Sequence, residues 1–248
     1  DKGTAMANNH DWMTLHRVRF PEVVDGAGKP LPGPASAQIW RFAPLSMMGP
    51  DGHFNSRNDS WGGFALHSSR EEAEAVFDAP DAHLPFLDRT SEAWHAIAIP
   101  FAHRGSVKWR GLVEHDSAIK VAPDDPKGPL AVLTSAGYTD PGPEDEERIK
   151  AFSSGILNVI DFYGTLPGNL RRGVFSGGGV DGREGCTISL WRDDMSMIGA
   201  AYKSGVHKAQ LERHQTSPLF DHSSFTRARI LASKGTWDGA DPIDELRN

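Results

Sequence analysis

Apolar and polar residues alternate with a period of two in several short segments of the chain. The clearest are Trp12–Phe20, Trp94–Phe101 and Phe225–Ser233, each bounded by residues that favour turns. Such alternation predicts β-strands that bury one face. By the same criteria, further strands are predicted at 61–67, 130–138, 170–176 and 186–191, the last two forming a hairpin across a glycine-rich loop.

Other segments repeat apolar residues at helical spacing. The longest predicted helix is Glu144–Tyr163, which opens with acidic residues that favour a helix N-terminus. A second is Arg70–Phe77, preceded by serines that can cap it. Helices are also expected at 36–45, from Asp193 or Asp194 to 202, and at 207–214, whereas residues 49–60 have the composition of turns.

The two halves of the chain repeat one pattern. The interval from Leu66 to Leu190, in two strand-to-helix segments, equals the interval from His83 to His207. Residues 122–129 contain three prolines and separate the copies. We therefore expect an α+β fold of two ferredoxin-like repeats, at 12–121 and 130–239, whose sheets pack into one barrel.

Composition excludes several classes of function. The 248 residues are 38% hydrophobic and 24% charged, with a net charge of −7, as in soluble globular proteins. No basic surface suited to nucleic acid is evident, and no apolar run of about 20 residues could cross a membrane. We expect a cytoplasmic protein without an integral membrane segment. The one cysteine, Cys186, excludes an internal disulfide and a cysteine-based zinc site.

Common catalytic motifs are absent, and the formal GxGxxG at 177–182 precedes a strand rather than the helix that phosphate binding requires. The eleven histidines are the main source of reactive groups. His207 lies on a predicted helix and could be the axial ligand of haem iron or an ordinary surface residue. His214 and His222 compete for the same role, and four others are interpreted as surface groups: His10, His53, His103 and His115.

Other side chains could complete a site around His207. Trp191 precedes the helical segment and could line a pocket or fill the core. Arg171 and Arg172 lie on a neighbouring strand, where either could face inward toward a carboxylate or both could face solvent. Four other tryptophans are expected to pack in the core or at the barrel ends: Trp61, Trp94, Trp109 and Trp237.

Several of these segments, in shared order and spacing, resemble the spheroidene monooxygenase (CrtA-like) family of haem-containing dimeric α/β-barrel proteins. They are 92–100 with Arg104-Gly and Trp109-Arg-Gly, Asn169-Leu with glycines 177–179, 188–197, 205–209, and 225–239. The resemblance implies a haem-dependent monooxygenase that oxidises a hydrophobic or specialised metabolite, with haem b as its cofactor. It assigns the iron to His207, in the second repeat.

On this hypothesis Arg171, Arg172 and Trp191 are the candidate catalytic residues, and His207, Arg172 and Trp191 bind the cofactor. The partners would be a small-molecule substrate, O₂ or peroxide, and an external electron donor if O₂ is used; a homodimer stays open. One barrel hosts several chemistries. Alternatives are therefore a Lewis-acid enzyme acting on a nitrogen-containing substrate, like aldoxime dehydratases, a non-catalytic haem-binding protein, or a cofactor-free barrel.

Overall fold

A computed structural model describes residues 10–22, 31–48, 54–105, 119–178, 184–203, 205–216 and 218–246. Eight strands and the helices between them account for most of these residues. The strands are β1 (Trp12–Arg19), β2 (Ile39–Met48), β3 (Phe54–His67), β4 (Glu92–Gly105), β5 (Leu130–Gly137), β6 (Asn169–Gly178), β7 (Glu184–Trp191) and β8 (His222–Gly235). The α-helices are α1 (Arg70–Asp78), α2 (Pro80–His83), α3 (Glu146–Tyr163), α4 (Asp194–Ile198) and α5 (Gly205–Thr216), and a π-helical turn at Gly199–Lys203 joins the last two.

The strands close one antiparallel barrel in the order β1-β3-β2-β6-β7-β5-β8-β4. The first half contributes the sheet β4-β1-β3-β2, and the second half contributes the sheet β8-β5-β7-β6. The two sheets therefore have the same strand order, and they meet where β4 pairs with β8 and where β2 pairs with β6. Extensive β4–β8 pairing joins the halves on one side, and the Leu45–Phe175 pair joins them on the other. The predicted α+β class with two ferredoxin-like sheets in one barrel is confirmed. The domain limits 12–121 and 130–239 stay a prediction.

The barrel interior forms the main hydrophobic core. It is built from the residues of each strand that alternate toward the barrel axis, as period-two patterning requires. Trp94 and Trp237 pack together at one end, with ring centroids 5.5 Å apart. Other buried members are Met13, Leu15, Phe64, Leu66, Ala96, Leu133, Phe175, Ile188, Leu190, Ala228 and Ile230. Trp61 is also buried, in a separate cluster outside the barrel, while Trp109 lies outside the described residues.

The helix expected at 36–45 is wrong, because the chain there forms strand β2. This strand pairs with β3 on one side, and those pairings outweigh local helical preference. Pro44 lies at a register shift between Pro44 and Leu45, where a missing N–H does least harm to a ladder. Likewise, β3 already begins at Phe54, so much of the expected 49–60 turn is strand; residues 49–53 lie outside the described part.

Helices cover the outer faces of the two sheets. In the first half, α1 is capped by the Ser69 side chain and packs its buried Ala73 against Trp12 and Ile97. In the second half, α3 and α4 cover Leu130 and Trp191. None of the helices in the described segments is long and apolar enough to cross a lipid bilayer.

Candidate functional site

A cavity of about 620 Å³ lies in the second half, between the outer face of the sheet and the covering helices. Strands β4 to β8 form its floor, and α3, α4, the π-turn and α5 form its walls. Its volume falls within the range of about 300–1,000 Å³ typical of small-molecule sites. Apolar and small lining residues include Ala102, Val132, Ala136, Phe152, Gly155, Ile156, Val159, Ile160, Val174, Cys186, Met197, Ile198 and Phe225.

The corresponding outer face of the first sheet is filled by large side chains. His16 and His95 are buried there and hydrogen-bond to each other, and the neighbouring Trp40 ring lies 5.7 Å from that of His16. The central strand of the second sheet, β5, instead presents Val132, Thr134 and Ala136 to the cavity. Smaller side chains on the same topology therefore leave a pocket in one half.

His103 is a polar member of the lining, and its interpretation as a surface group is wrong. Its Nδ1 lies 2.9 Å from the hydroxyl of Thr226, which is fully buried on the adjacent strand. Burial lowers the pKa of His103, so its imidazole is neutral near pH 7. Since His103 is paired with Thr226 and alternates with the outward-facing Ala102 and Arg104, its ring lies on the barrel-interior face of the sheet. His10, also expected at the surface, is buried.

Two arginines, Arg104 and Arg227, also line the cavity. The guanidinium of Arg104 lies 4.8 Å from the centre of the Phe225 ring, and that of Arg227 lies 5.2 Å from the centre of Phe101. Neither arginine was predicted from the sequence as a site residue. A signal was available for Arg227, since it alternates with core residues in β8 and must face away from the barrel axis.

The predicted ligands fall on or near helix α5. The backbone of His207 lies in α5, but its side chain lies outside the described part of the structure. His214 lines the cavity and stacks on Phe220, with ring centroids 3.8 Å apart. Its Nδ1 accepts a hydrogen bond from the Leu219 N–H at 3.0 Å. A neutral ring that accepts at Nδ1 carries its proton on Nε2, so neither nitrogen of His214 is available to a metal in this arrangement. His222 is half-buried at the start of β8.

Trp191 lines the cavity, whereas the two predicted arginines are found elsewhere. Trp191 is fully buried, and its Nε1 donates to the Ser189 hydroxyl at 2.9 Å. Arg171 donates from Nε to the Trp237 carbonyl at 2.8 Å, and Arg172 donates from Nε to the Ile160 carbonyl at 2.7 Å. Neither is among the described lining residues, so their roles at the site stay predictions.

No family model and no curated protein matches the chain. Solved structures do match its fold. An aldoxime dehydratase, OxdRE, in complex with butyraldoxime is 9% identical with a TM-score of 0.61, over 98% of this chain and 87% of that one. A second aldoxime dehydratase structure is 9% identical with a TM-score of 0.55, over 90% and 82%. A proposed monooxygenase from Fusobacterium nucleatum is 9% identical over 92% and 95%, but its TM-score of 0.39 is too low to support an argument.

These identities show a common fold and nothing finer. The chain has the dimeric α/β-barrel architecture, closed here within one chain, which confirms the predicted fold class. Membership of the spheroidene monooxygenase family stays a prediction.

Proposed function

We propose that this protein is a haem-dependent monooxygenase that binds haem in the cavity of its second half. The observation that carries the proposal is the apolar cavity between the second sheet and helix α5. The histidine that the sequence resemblance assigns to iron lies on that same helix.

The lining residues fit a porphyrin. An aliphatic and aromatic surface suits a flat apolar ring, and Ile156, Val159 and Ile160 of α3 face Val132 and Val174 of the sheet across the cavity. No aspartate or glutamate is among the described lining residues, so no carboxylate there would repel the acidic groups of haem.

His207 is the proposed axial ligand. Positions 207 and 214 are seven residues, or nearly two turns, apart and share one face of helix α5. Because His214 lines the cavity, that face of the helix borders it. The backbone N–H of Leu219 occupies Nδ1 of His214, which favours His207 over His214.

When bound, haem supplies the activation of O₂ or peroxide that oxygen transfer to a substrate requires. Trp191 and Tyr163, which pack edge to face at 4.9 Å, would close the floor against water. The proposal also includes Arg171 and Arg172 as catalytic candidates, Arg172 as a cofactor-binding residue, and an external electron donor if O₂ is used.

Haemin titration tests the cofactor. The wild-type chain should give a saturable Soret shift on haemin addition. His207→Ala should lose the spectral features of histidine-ligated haem iron, and His214→Ala should keep them. No saturable binding to the wild type would overturn the haem proposal. An unchanged spectrum in His207→Ala would overturn the axial assignment.

The dehydratase alternative has a separate test. The reduced, haem-loaded protein is incubated with butyraldoxime under strict exclusion of oxygen, and the nitrile is measured. A monooxygenase should form none, since its reaction requires an oxidant. Oxygen-independent nitrile formation over many turnovers per haem would overturn the monooxygenase proposal and support a dehydratase.

A further inference from the structure

Arg104 and Arg227 lie side by side on the ladder formed by β4 and β8. In the register, Arg104 is opposite Phe225, and Ala102 is opposite Arg227. The two arginines are therefore diagonal neighbours on one face, which places their Cα atoms roughly 7–8 Å apart. Both side chains line the cavity.

Neither guanidinium has an acidic partner in the described part of the chain. This differs from Arg17, Arg148 and Arg229, each of which forms a salt bridge with a carboxylate. The chain has 33 acidic residues, yet none is among the described lining residues. Two like charges on neighbouring strands repel each other, and an anion between them would relieve that repulsion.

The arginines are also held in orientation before any ligand arrives. The guanidinium carbon of Arg104 lies over the Phe225 ring and that of Arg227 over the Phe101 ring, so each cation has a cation–π contact. A pre-ordered guanidinium fork loses less conformational freedom when it pairs with a carboxylate.

We propose that Arg104 and Arg227 bind the carboxylate groups of a ligand whose apolar body fills the cavity. The apolar surface binds the body of the ligand, and the two arginines bind its acidic end where β4 and β8 border the cavity. If the proposed function is correct, the carboxylates are the propionates of haem or an acidic group of the substrate. The carboxylate inference itself does not depend on iron.

An iron-free porphyrin separates this inference from axial ligation. Binding of protoporphyrin IX and of its dimethyl ester is measured by tryptophan fluorescence quenching in the wild type, Arg104→Gln, Arg227→Gln and Arg70→Gln. Arg70 is the matched control, because it also packs over a ring, that of Trp12, but lies on helix α1. Arg172→Gln tests the position that the sequence favoured.

The wild type should bind the diacid at least tenfold more tightly than the diester. Arg104→Gln or Arg227→Gln should weaken diacid binding by roughly ten- to a hundredfold, as expected for a lost charged hydrogen bond, and leave diester binding within about threefold. Arg70→Gln should change neither ligand. Equal wild-type affinities for diacid and diester would overturn the inference, as would a loss in Arg172→Gln without one at either lining arginine.

The proposed function can fail separately. A diacid preference that requires these arginines, together with no Soret shift on haemin titration, would support the carboxylate site and reject the haem enzyme. Binding of palmitate and of methyl palmitate, measured before and after haem loading, distinguishes the source of the carboxylate. If the protein prefers the acid to the ester before loading and loses that preference afterwards, the arginines bind the propionates. If the preference persists in haem-loaded protein, the arginines bind the carboxylate of a substrate.

Discussion

Mild acid should destabilise the protein through a chain of buried histidines on the outer face of the first sheet. His95 Nδ1 lies 2.8 Å from His16 Nδ1, and His16 Nε2 lies 2.8 Å from the Thr14 hydroxyl. That hydroxyl also lies 3.0 Å from Nε2 of His67. All four side chains are buried, so a proton added to any ring would be poorly solvated.

Burial lowers the pKa of His67 and of His95 from 6.5 to about 4, and it lowers the pKa of His16 well below its ordinary value. Lys234 lowers the pKa of His95 further, while Glu72 partly opposes the change at His67. The unfolded imidazoles accept protons near pH 6.5, whereas folded His67 and His95 accept them only near pH 4. Between these values the unfolded state binds more protons, so stability is complete above pH 6.5 and falls as the pH falls toward 4.

The size of this effect follows from the pKa differences. One pKa unit corresponds to about 1.4 kcal/mol, so at pH 5 each of His67 and His95 should cost about 2 kcal/mol. Independent titration of the two would remove about 4 kcal/mol, a large part of the roughly 5–15 kcal/mol that stabilises a typical domain.

Urea unfolding at pH 7.5, 6 and 5, followed by tryptophan fluorescence, measures the loss. Burial also lowers the pKa of His103 and of His214, so the decisive quantity is a difference between variants rather than the total slope. His95→Asn should reduce the loss between pH 7.5 and 5 by about 2 kcal/mol. His222→Gln, outside the chain of histidines, should retain it. A free energy of unfolding that stays constant down to pH 5, or an unchanged loss in His95→Asn, would refute the argument.

Three further substitutions test the fold. Arg229 is fully buried and forms salt bridges with Asp125 and Asp194, so Arg229→Ala should lower the free energy of unfolding by about 2–3 kcal/mol. Arg70→Ala, which removes an exposed pair, should lower it by about 0.5 kcal/mol or less, and equal losses would contradict the role of burial. Gly235 has a φ of +80°, and an added Cβ would overlap the Ala93 carbonyl, whereas Gly239 has a φ of +87° with no atom in the way. Gly235→Ala should therefore lower the free energy of unfolding by more than the roughly 1 kcal/mol expected for Gly239→Ala. Urea unfolding that gives the reverse order would exclude the steric explanation. Asp193 caps helix α4 by accepting a hydrogen bond from the Ser196 N–H at 2.8 Å, so Asp193→Ala should lower the free energy of unfolding by about 1 kcal/mol and Asp193→Ser by much less. Identical melting temperatures for these two variants would disprove the role of the cap.

Local patterning in the sequence was sufficient to predict the elements that carry their own signals. The predicted helix at Glu144–Tyr163 matches α3 at Glu146–Tyr163, because acidic N-terminal residues and a 3.6-residue apolar period act within the segment itself. Strands β4 and β8 both end in a basic residue followed by glycine, Arg104-Gly105 and Lys234-Gly235, and the glycine has a physical cause. Gly105 and Gly235 end β4 and β8 with positive φ, and at both an added Cβ would overlap a carbonyl of the paired strand.

The cavity could not be predicted in the same way, because its position depends on barrel closure. Arg104 and Arg227 become neighbours only through the β4–β8 pairing, which joins segments more than a hundred residues apart. His103 depends on the same register, since Thr226 is directly opposite it. Arg171 and Arg172 were the natural candidates from sequence, but their guanidinium groups donate to the backbone carbonyls of Trp237 and Ile160, and neither arginine is among the described lining residues.

The difference between the two halves shows how a single topology can serve two purposes. Both sheets have the same strand order, and both have helices on the outer face. In the first half, short helices of nine and four residues cover buried histidines and aromatic rings. In the second, helices of eighteen and twelve residues border a cavity to which the central strand β5 presents only Val132, Thr134 and Ala136. Among the described residues, side-chain volume rather than chain path therefore accounts for the cavity in the second half.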